Sequence, residues 1–244
     1  MIDSYETYLV TQQDLSAGRT TATIVEAAIS GGVDVVQVRE KDRGARTQLD
    51  VARELREPTA SAGVGLIVND RVDVALAADA DGVHLGDEDL PVDVAREQLG
   101  EDAIIGRSVS TVEGARAAEA AGADYLGVGS VYTTQSKDVE EAEHDIGLDV
   151  LRDIDAAVDV PFVGIGGITP ENAADVVAAG ADGVAVITAI TQADDPAAAT
   201  RELGDAVTAG RKRRPRADGK GDGEREVEGE SVESGESDRL EGSA

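Results

Sequence analysis

Short apolar runs recur along the chain, at residues 8–10, 33–38, 64–68, 82–85, 104–109, 125–128, 161–165 and 183–187. Between them lie segments rich in Ala, Glu and Arg, such as "TIVEAAISGG", "TVEGARAAEAAGA" and "TPENAADVVAAGA". Several of these segments begin at a Thr, Asp or Pro suited to a helix start, and several end at Gly. Eight strands alternating with helices predict an α/β fold with a parallel sheet. Eight such units closing on themselves give a (β/α)8 TIM barrel over residues 1–210. An open doubly wound sheet is the alternative, but no strand-turn carries the G-x-G-x-x-G that would favour it.

Two stretches break the alternation. Residues 129–147 form a long connection after the sixth run, and such a loop in a compact domain is usually a lid or a binding loop. Residues 211–244 carry no aromatic residue, few aliphatics and no period, which predicts a charged, disordered tail. The basic cluster at 211–216 admits a nucleic-acid reading. Cations complementing the C-terminus of the last helix are the expected one.

The chain has 244 residues, a length that suits one such barrel. At 41% hydrophobic and 2% aromatic, its core must be built from small side chains, mainly Ala and Val. The formal net charge of -28 repels nucleic-acid phosphates and anionic membranes, which excludes both as partners. The acids are spread along the whole chain, which fits a surface adapted to high salt better than an acidic tail or a cation-binding patch. There is no Cys, so disulfides, thiolate metal sites and a Cys nucleophile are excluded. The N-terminus lacks a signal-peptide pattern, and no apolar run approaches about 20 residues. These features predict a soluble, cytoplasmic protein. The oligomeric state is open, a homo-oligomer included.

Chemistry in a barrel sits at the C-terminal ends of the strands. After the second run stand Gln37, Arg39 and Lys41. Alternation along a strand puts these three on one face and Val36, Val38 and Glu40 on the other. Up to residue 210 the chain holds only two lysines, Lys41 and Lys137. Salt adaptation removes surface lysines, so two that remain suggest a charge the chemistry needs. After the third run come Asn69 and Asp70, and after the fourth Asp87, Glu88 and Asp89. Acids in the last group also suit a helix N-terminus. Carboxylates from neighbouring strand ends can share Mg2+, which takes one or two carboxylates plus water and substrate phosphate oxygens. His84, within a strand, is expected to be packed or hydrogen-bonded rather than a ligand, and His144 to be a solvated loop residue.

Ser108 follows the fifth run, and Thr134, Ser136 and Lys137 lie in the long loop. Two hydroxyls and an ammonium in four residues suit a phosphate or pyrophosphate. Gly166 and Gly167 follow the seventh run, and Ile187 and Thr188 the eighth, where this fold often binds phosphate. The inventory is a monophosphate pocket at strands seven and eight and a second centre of Arg39, Lys41 and Lys137. That second centre adds a metal held by Asp70 and Asp89. Such a pair of centres could join a phosphate-bearing nucleophile to a diphosphate-bearing electrophile. No Ser-His-Asp set offers covalent catalysis.

The motifs "VQVREKD", "LIVNDRVDVALAADADGVHLGDEDLP", "IIGRSVST", "YLGVGSVYTTQSKD", "VGIGGITPENA" and "GVAVITAI", taken in order, resemble those of thiamine-phosphate synthases. The resemblance runs over about residues 8–201. It implies a (β/α)8 barrel that couples a hydroxymethylpyrimidine diphosphate to a thiazole phosphate, with thiamine phosphate and pyrophosphate as products. By position it implies that Gln37, Arg39, Lys41 and Asn69 hold the pyrimidine diphosphate, with Ser108 touching the diphosphate or the ring. Asp70 and Asp89 would bind Mg2+, and Lys137 the departing pyrophosphate. Thr134, Ser136, Gly167, Ile187 and Thr188 would hold the thiazole phosphate. The family pattern has Thr more often than Ser at 136, Pro rather than Thr at 133, and a small apolar residue rather than Arg at 107. The implied mechanism is dissociative, with Arg39, Lys41, Ser108 and Lys137 as its catalytic groups and no strong general base. The rivals are a thiazole tautomerase of the same superfamily, a phosphosugar isomerase or indole-forming barrel, and a non-catalytic phosphate-ligand sensor.

Overall fold

A computed structural model describes residues 2, 4–41, 43–133 and 145–214. Eight parallel strands close into a barrel in sequence order: β1 (Thr7–Val10), β2 (Val35–Val38), β3 (Gly65–Asn69), β4 (Gly82–Leu85), β5 (Ile104–Val109), β6 (Tyr125–Gly129), β7 (Phe162–Ile165) and β8 (Gly183–Val186). Closure comes from β1 pairing β8, with Tyr8 beside Ala185. The helices are α1 (Thr21–Gly31), α2 (Ala45–Ala62), α3 (Val72–Ala78), α4 (Val92–Leu99), α5 (Val112–Ala120), α6 (Gly147–Asp155), α7 (Pro170–Ala178), the short α8 (Thr188–Thr191) and α9 (Pro196–Arg213). No helix among the described residues is long and apolar enough to cross a membrane.

Several helix starts follow the hydroxyl, Asp and Pro signals. Thr20 and Thr111 accept from the N–H groups of Thr23 and Gly114, and Asp195 from that of Ala198. Thr169 and Asn172 form a reciprocal capping box, with Pro170 in the first turn.

Period-two alternation splits the strand residues into two layers. Tyr8, Val10, Val35, Ile67, Ile104, Tyr125, Val163 and Ala185 fill the barrel interior. Leu9, Val36, Val38, Leu66, Val68, Ile105 and Leu126 face the helices in the outer core.

A fourfold device sets the strand starts. An Asp stands immediately before each even strand, and its carboxylate accepts the N–H of the first or second residue of the preceding odd strand. Asp34 takes Thr7 N–H at 2.8 Å, Asp81 takes Leu66 at 2.7 Å, Asp124 takes Ile105 at 2.7 Å and Asp182 takes Phe162 at 2.9 Å. Each Asp N–H returns a bond to the carbonyl of the same residue. Arg56 and Arg96 from α2 and α4 then pair with Asp81 and Asp124, at 3.0 and 2.6 Å. Part of the acidity is therefore structural.

The last helix runs past the expected boundary at 210. Arg213 pairs with Asp175 at 2.5 Å, and Arg211 and Arg214 pair with Glu6 and Asp155. These cations are matched to barrel carboxylates rather than presented to a polyanion. Residues 215–244, including Arg216 and the rest of the expected tail, lie outside the described residues.

Candidate active site

The C-terminal ends of the strands carry two adjoining cavities. The inner one, of about 80 Å³, is lined by Gln37, Arg39, Asn69 and Ser108 together with Tyr8, His84 and Tyr125. The outer one, of about 610 Å³, is lined by Thr133, Gly166, Gly167, Ile187 and Thr188. Ile165 and Ala185 belong to the walls of both. Four of the residues assigned to the pyrimidine diphosphate thus meet in one cavity, and Gly167, Ile187 and Thr188 meet in its neighbour. Thr134, Ser136, Lys137 and His144 lie outside the described residues, which begin their gap directly after Thr133.

The inner cavity is built from strand register. Gln37 is buried on β2, and its Nε2 donates to the Tyr8 hydroxyl at 2.8 Å. Ser108 Oγ lies 2.9 Å from His84 Nε2, and His84 Nδ1 lies 2.9 Å from the Tyr125 hydroxyl. His84 is hydrogen-bonded inside the barrel, as its place within a strand suggested. Tyr125 fits because its neighbour in the ladder is Gly106: a Cβ there would stand 2.2 Å from the ring Cζ.

Strand β2 ends at Val38, so alternation alone does not govern residues 39–41. Glu40 anchors them. It is 5% exposed, and it accepts from the hydroxyls of Thr21 at 2.8 Å and Thr11 at 3.1 Å and from the Gln13 N–H at 3.1 Å. The Arg39 N–H donates to Thr11, and its guanidinium donates to Gln12 Oε1 at 2.8 Å. Arg39 therefore enters the inner cavity already oriented. Lys41 stands further out, in the turn closed by Arg43 N–H on the Glu40 carbonyl.

Asp70 and Asp89 stand at the ends of β3 and β4 on a shared open depression of about 420 Å³. Asp70 has φ 61°, a left-handed conformation that a non-glycine residue seldom keeps without reason. Partial withdrawal from water, and then the hydrogen-bonding and charge of Asp89, push its carboxyl up to about 6. Arg39 and the Asn69 side chain act in the opposite direction. Asp89 Oδ2 accepts the Gly86 N–H at 2.6 Å, which fixes its orientation. Of the other two acids in that loop, Asp87 pairs with Arg107 at 2.6 Å and Glu88 is exposed.

Two carboxylates held against each other suit a hard divalent cation, which relieves their repulsion. Among the described residues no group of three or more His, Cys, Asp or Glu is arranged to hold a metal. Mg2+ fits the pair, since it keeps waters and takes substrate phosphate oxygens rather than a full protein cage.

The outer cavity is shaped by its glycines. Gly166 and Gly167 have φ of 102° and 61°, and a Cβ on Gly166 would stand 2.1 Å from Ser130 Oγ. Only glycine turns the chain there and leaves backbone at the cavity wall.

Tyr8 and Tyr125 escaped the sequence reading. The signal was present, because a chain with four tyrosines had placed two of them inside strand runs.

Comparison with known proteins points to one family. A thiamine-phosphate synthase of Natronomonas pharaonis is 63% identical over 207 residues, covering 85% of this chain and 97% of that protein. One of Haloarcula marismortui is 62% identical over 212 residues, covering 86% and 100%. Both come from halophilic archaea, in keeping with the acidic, lysine-poor composition. The solved thiamine phosphate pyrophosphorylase of Pyrococcus furiosus superposes with a TM-score of 0.76 at 41% identity, covering 84% of this chain and 96% of its own. Residues 7–190, from the first strand to the short helix after the last, match the family model described as thiamine monophosphate synthase. With that match spanning every strand of the barrel, the chain belongs to the thiamine monophosphate synthase family.

Proposed function

We propose that this protein is a thiamine-phosphate synthase. It would join 4-amino-2-methyl-5-hydroxymethylpyrimidine diphosphate to 4-methyl-5-(2-phosphoethyl)thiazole, releasing pyrophosphate. The observation that carries the proposal is the pair of cavities sharing Ile165 and Ala185, with a polar inner chamber beside two carboxylates and a glycine-turned outer one. One electrophile and one phosphate-bearing nucleophile can meet across that common wall.

In this reading Gln37, Asn69 and Ser108 hold the pyrimidine end in the inner cavity. Arg39, oriented by Gln12, meets the diphosphate, with Lys41 further out and Lys137 contributed from the long loop. Asp70 and Asp89 would hold Mg2+, whose charge would favour the departure of pyrophosphate. The electron-rich ring stabilises the pyrimidine-methyl cation, and the thiazole nitrogen captures it. Gly167, Ile187 and Thr188, with Thr134 and Ser136 from the loop, position the thiazole phosphate so that the nitrogen faces the cation. The protein contributes orientation and preset electrostatics, and no residue forms a covalent intermediate. The substrates are small molecules, and we place the reaction in the cytoplasm, where the absence of a membrane-crossing helix among the described residues agrees with it.

A tautomerase or a phosphate sensor would need the outer cavity and has no use for the Asp70–Asp89 pair. The deciding assay is incubation at molar salt with Mg2+ and both substrates, followed by detection of thiamine phosphate. Folded protein that yields none would overturn the proposal.

A further inference from the structure

The hydrogen bonds inside the barrel form one continuous file. Gln37 Nε2 donates to Tyr8, the Tyr8 and Tyr125 hydroxyls meet at 2.8 Å, Tyr125 meets His84 Nδ1, and His84 Nε2 meets Ser108 Oγ. The first four of these residues are 4%, 1%, 0% and 9% exposed, so they are shielded from bulk solvent and pair with one another.

Such a file has a direction. A phenol carries one proton, and a neutral imidazole offers one donor and one acceptor. Burial pushes both phenols up, so each keeps its proton. Gln37 enters as the donor, which commits Tyr8 to give its proton to Tyr125. Tyr125 then gives its proton to Nδ1 of His84. The ring proton must therefore sit on Nε2, which donates to Ser108, and Ser108 turns its own proton toward the cavity. The reversed file needs Gln37 flipped, with Oε1 accepting from Tyr8 and its amine facing the cavity. The two ends are coupled: one presents an acceptor only when the other presents a donor.

We propose that Tyr8, Tyr125 and His84 are positioning residues that hold His84 as the Nε2–H tautomer. They thereby present the cavity with an acceptor at Gln37 Oε1 and a hydroxyl donor at Ser108. This pattern selects a ring bearing an amino donor on one side and an anionic oxygen on the other. An aminopyrimidine diphosphate has both, whereas an oxo analogue would meet Gln37 acceptor to acceptor. The substrate's identity rests on the proposed function; the tautomer does not.

The chain has two histidines, so 15N-histidine labelling gives two ring systems, and His144→Gln leaves His84 alone. In ligand-free protein the expected spectrum is that of a neutral ring protonated at Nε2. Tyr125→Phe removes the donor to Nδ1. The expected result is a mixture of tautomers and a kcat lowered about tenfold, with the KM for thiazole phosphate unchanged. A wild-type ring protonated at Nδ1, or at both nitrogens, overturns the proposal. So does a folded Tyr125→Phe variant that keeps both the wild-type tautomer and kcat. If that variant does not fold, the wild-type spectrum decides alone. Failure of the wild type to make thiamine phosphate counts against the proposed activity only, because the tautomer is read without substrate.

Discussion

Asp70 and Asp89 reach each other from the ends of adjacent strands, and partial withdrawal from water, followed by this contact, pushes the Asp70 carboxyl up to about 6. Two acids do not remain paired without a partner of opposite charge unless something else compensates them. Arg39 offsets part of the repulsion, and the proposed Mg2+ would offset more of it. Asp70→Asn keeps the shape and removes one charge. Its turnover should fall by about 100-fold or more, and the remaining rate should respond weakly to added Mg2+. Initial rates across a Mg2+ titration check this. A variant with wild-type rate and Mg2+ dependence would show that the metal is held elsewhere.

The four strand-start aspartates give a stability prediction far from the chemistry. Asp124 accepts the Ile105 N–H at 2.7 Å and pairs with Arg96 at 2.6 Å. Asp124→Asn weakens a charge-assisted bond and leaves Arg96 without its ion pair. The expected loss is about 1–3 kcal/mol, read by denaturant unfolding at fixed salt. Asp102→Asn, on an exposed turn, serves as the control and should move stability by less than about 0.5 kcal/mol.

The barrel was legible in the chain because eight apolar runs stand out, carried mainly by Val, Ile and Leu. The observed strands begin and end within two residues of those runs. Site residues on or directly after strands were legible for the same reason, as Gln37, Ser108 and Asp70 show. What the linear pattern hid were contacts across the barrel. Nothing local links Tyr8 to Tyr125, 117 positions away, or explains Gly106 until the ring it accommodates is seen. The aspartates before the even strands were equally mute, since in a chain with 50 acids no single Asp stands out.

Tyr5 sets an alkaline limit. It stacks on Tyr125 at 4.9 Å, and burial, then the charge of Asp124, push its phenol up to about 12. The folded state therefore holds this proton more tightly than the unfolded chain, whose phenol titrates near 10. Between about pH 10 and 12 the unfolded state binds fewer protons, so stability falls as pH rises. Tyr5→Phe removes that pH dependence. Its unfolding midpoint should decline less steeply than the wild type's over this window, and parallel curves would show that Tyr5 contributes nothing.

Net charge sets a salt limit. With 50 acids against 22 Lys and Arg, self-repulsion acts over about 10 Å at 0.1 M salt and about 3 Å at 1 M. Compact folding concentrates that charge, so dilution of salt should lower the melting temperature steadily. Thermal melts in KCl from molar to tens of millimolar check the trend. Equal stabilisation by sucrose without salt would point to surface exclusion instead of screening.

The outer cavity can be tested apart from the inner one. Gly167 has φ 61°, and a Cβ there would stand 2.6 Å from the Thr133 carbonyl oxygen and 2.8 Å from Tyr132 Cβ. Gly167→Ala therefore cannot be accommodated by a side-chain rotation; the turn after β7 must move away from the segment 132–133. That movement displaces cavity wall where the thiazole phosphate is proposed to bind, while Gln37, Arg39 and Ser108 on the inner cavity stay in place. The KM for thiazole phosphate should rise by about tenfold or more, with the KM for the pyrimidine diphosphate changed far less. Equal rises in both constants would mean that the two cavities do not divide the substrates between them. An unchanged KM for the thiazole phosphate would remove Gly167 from its binding site.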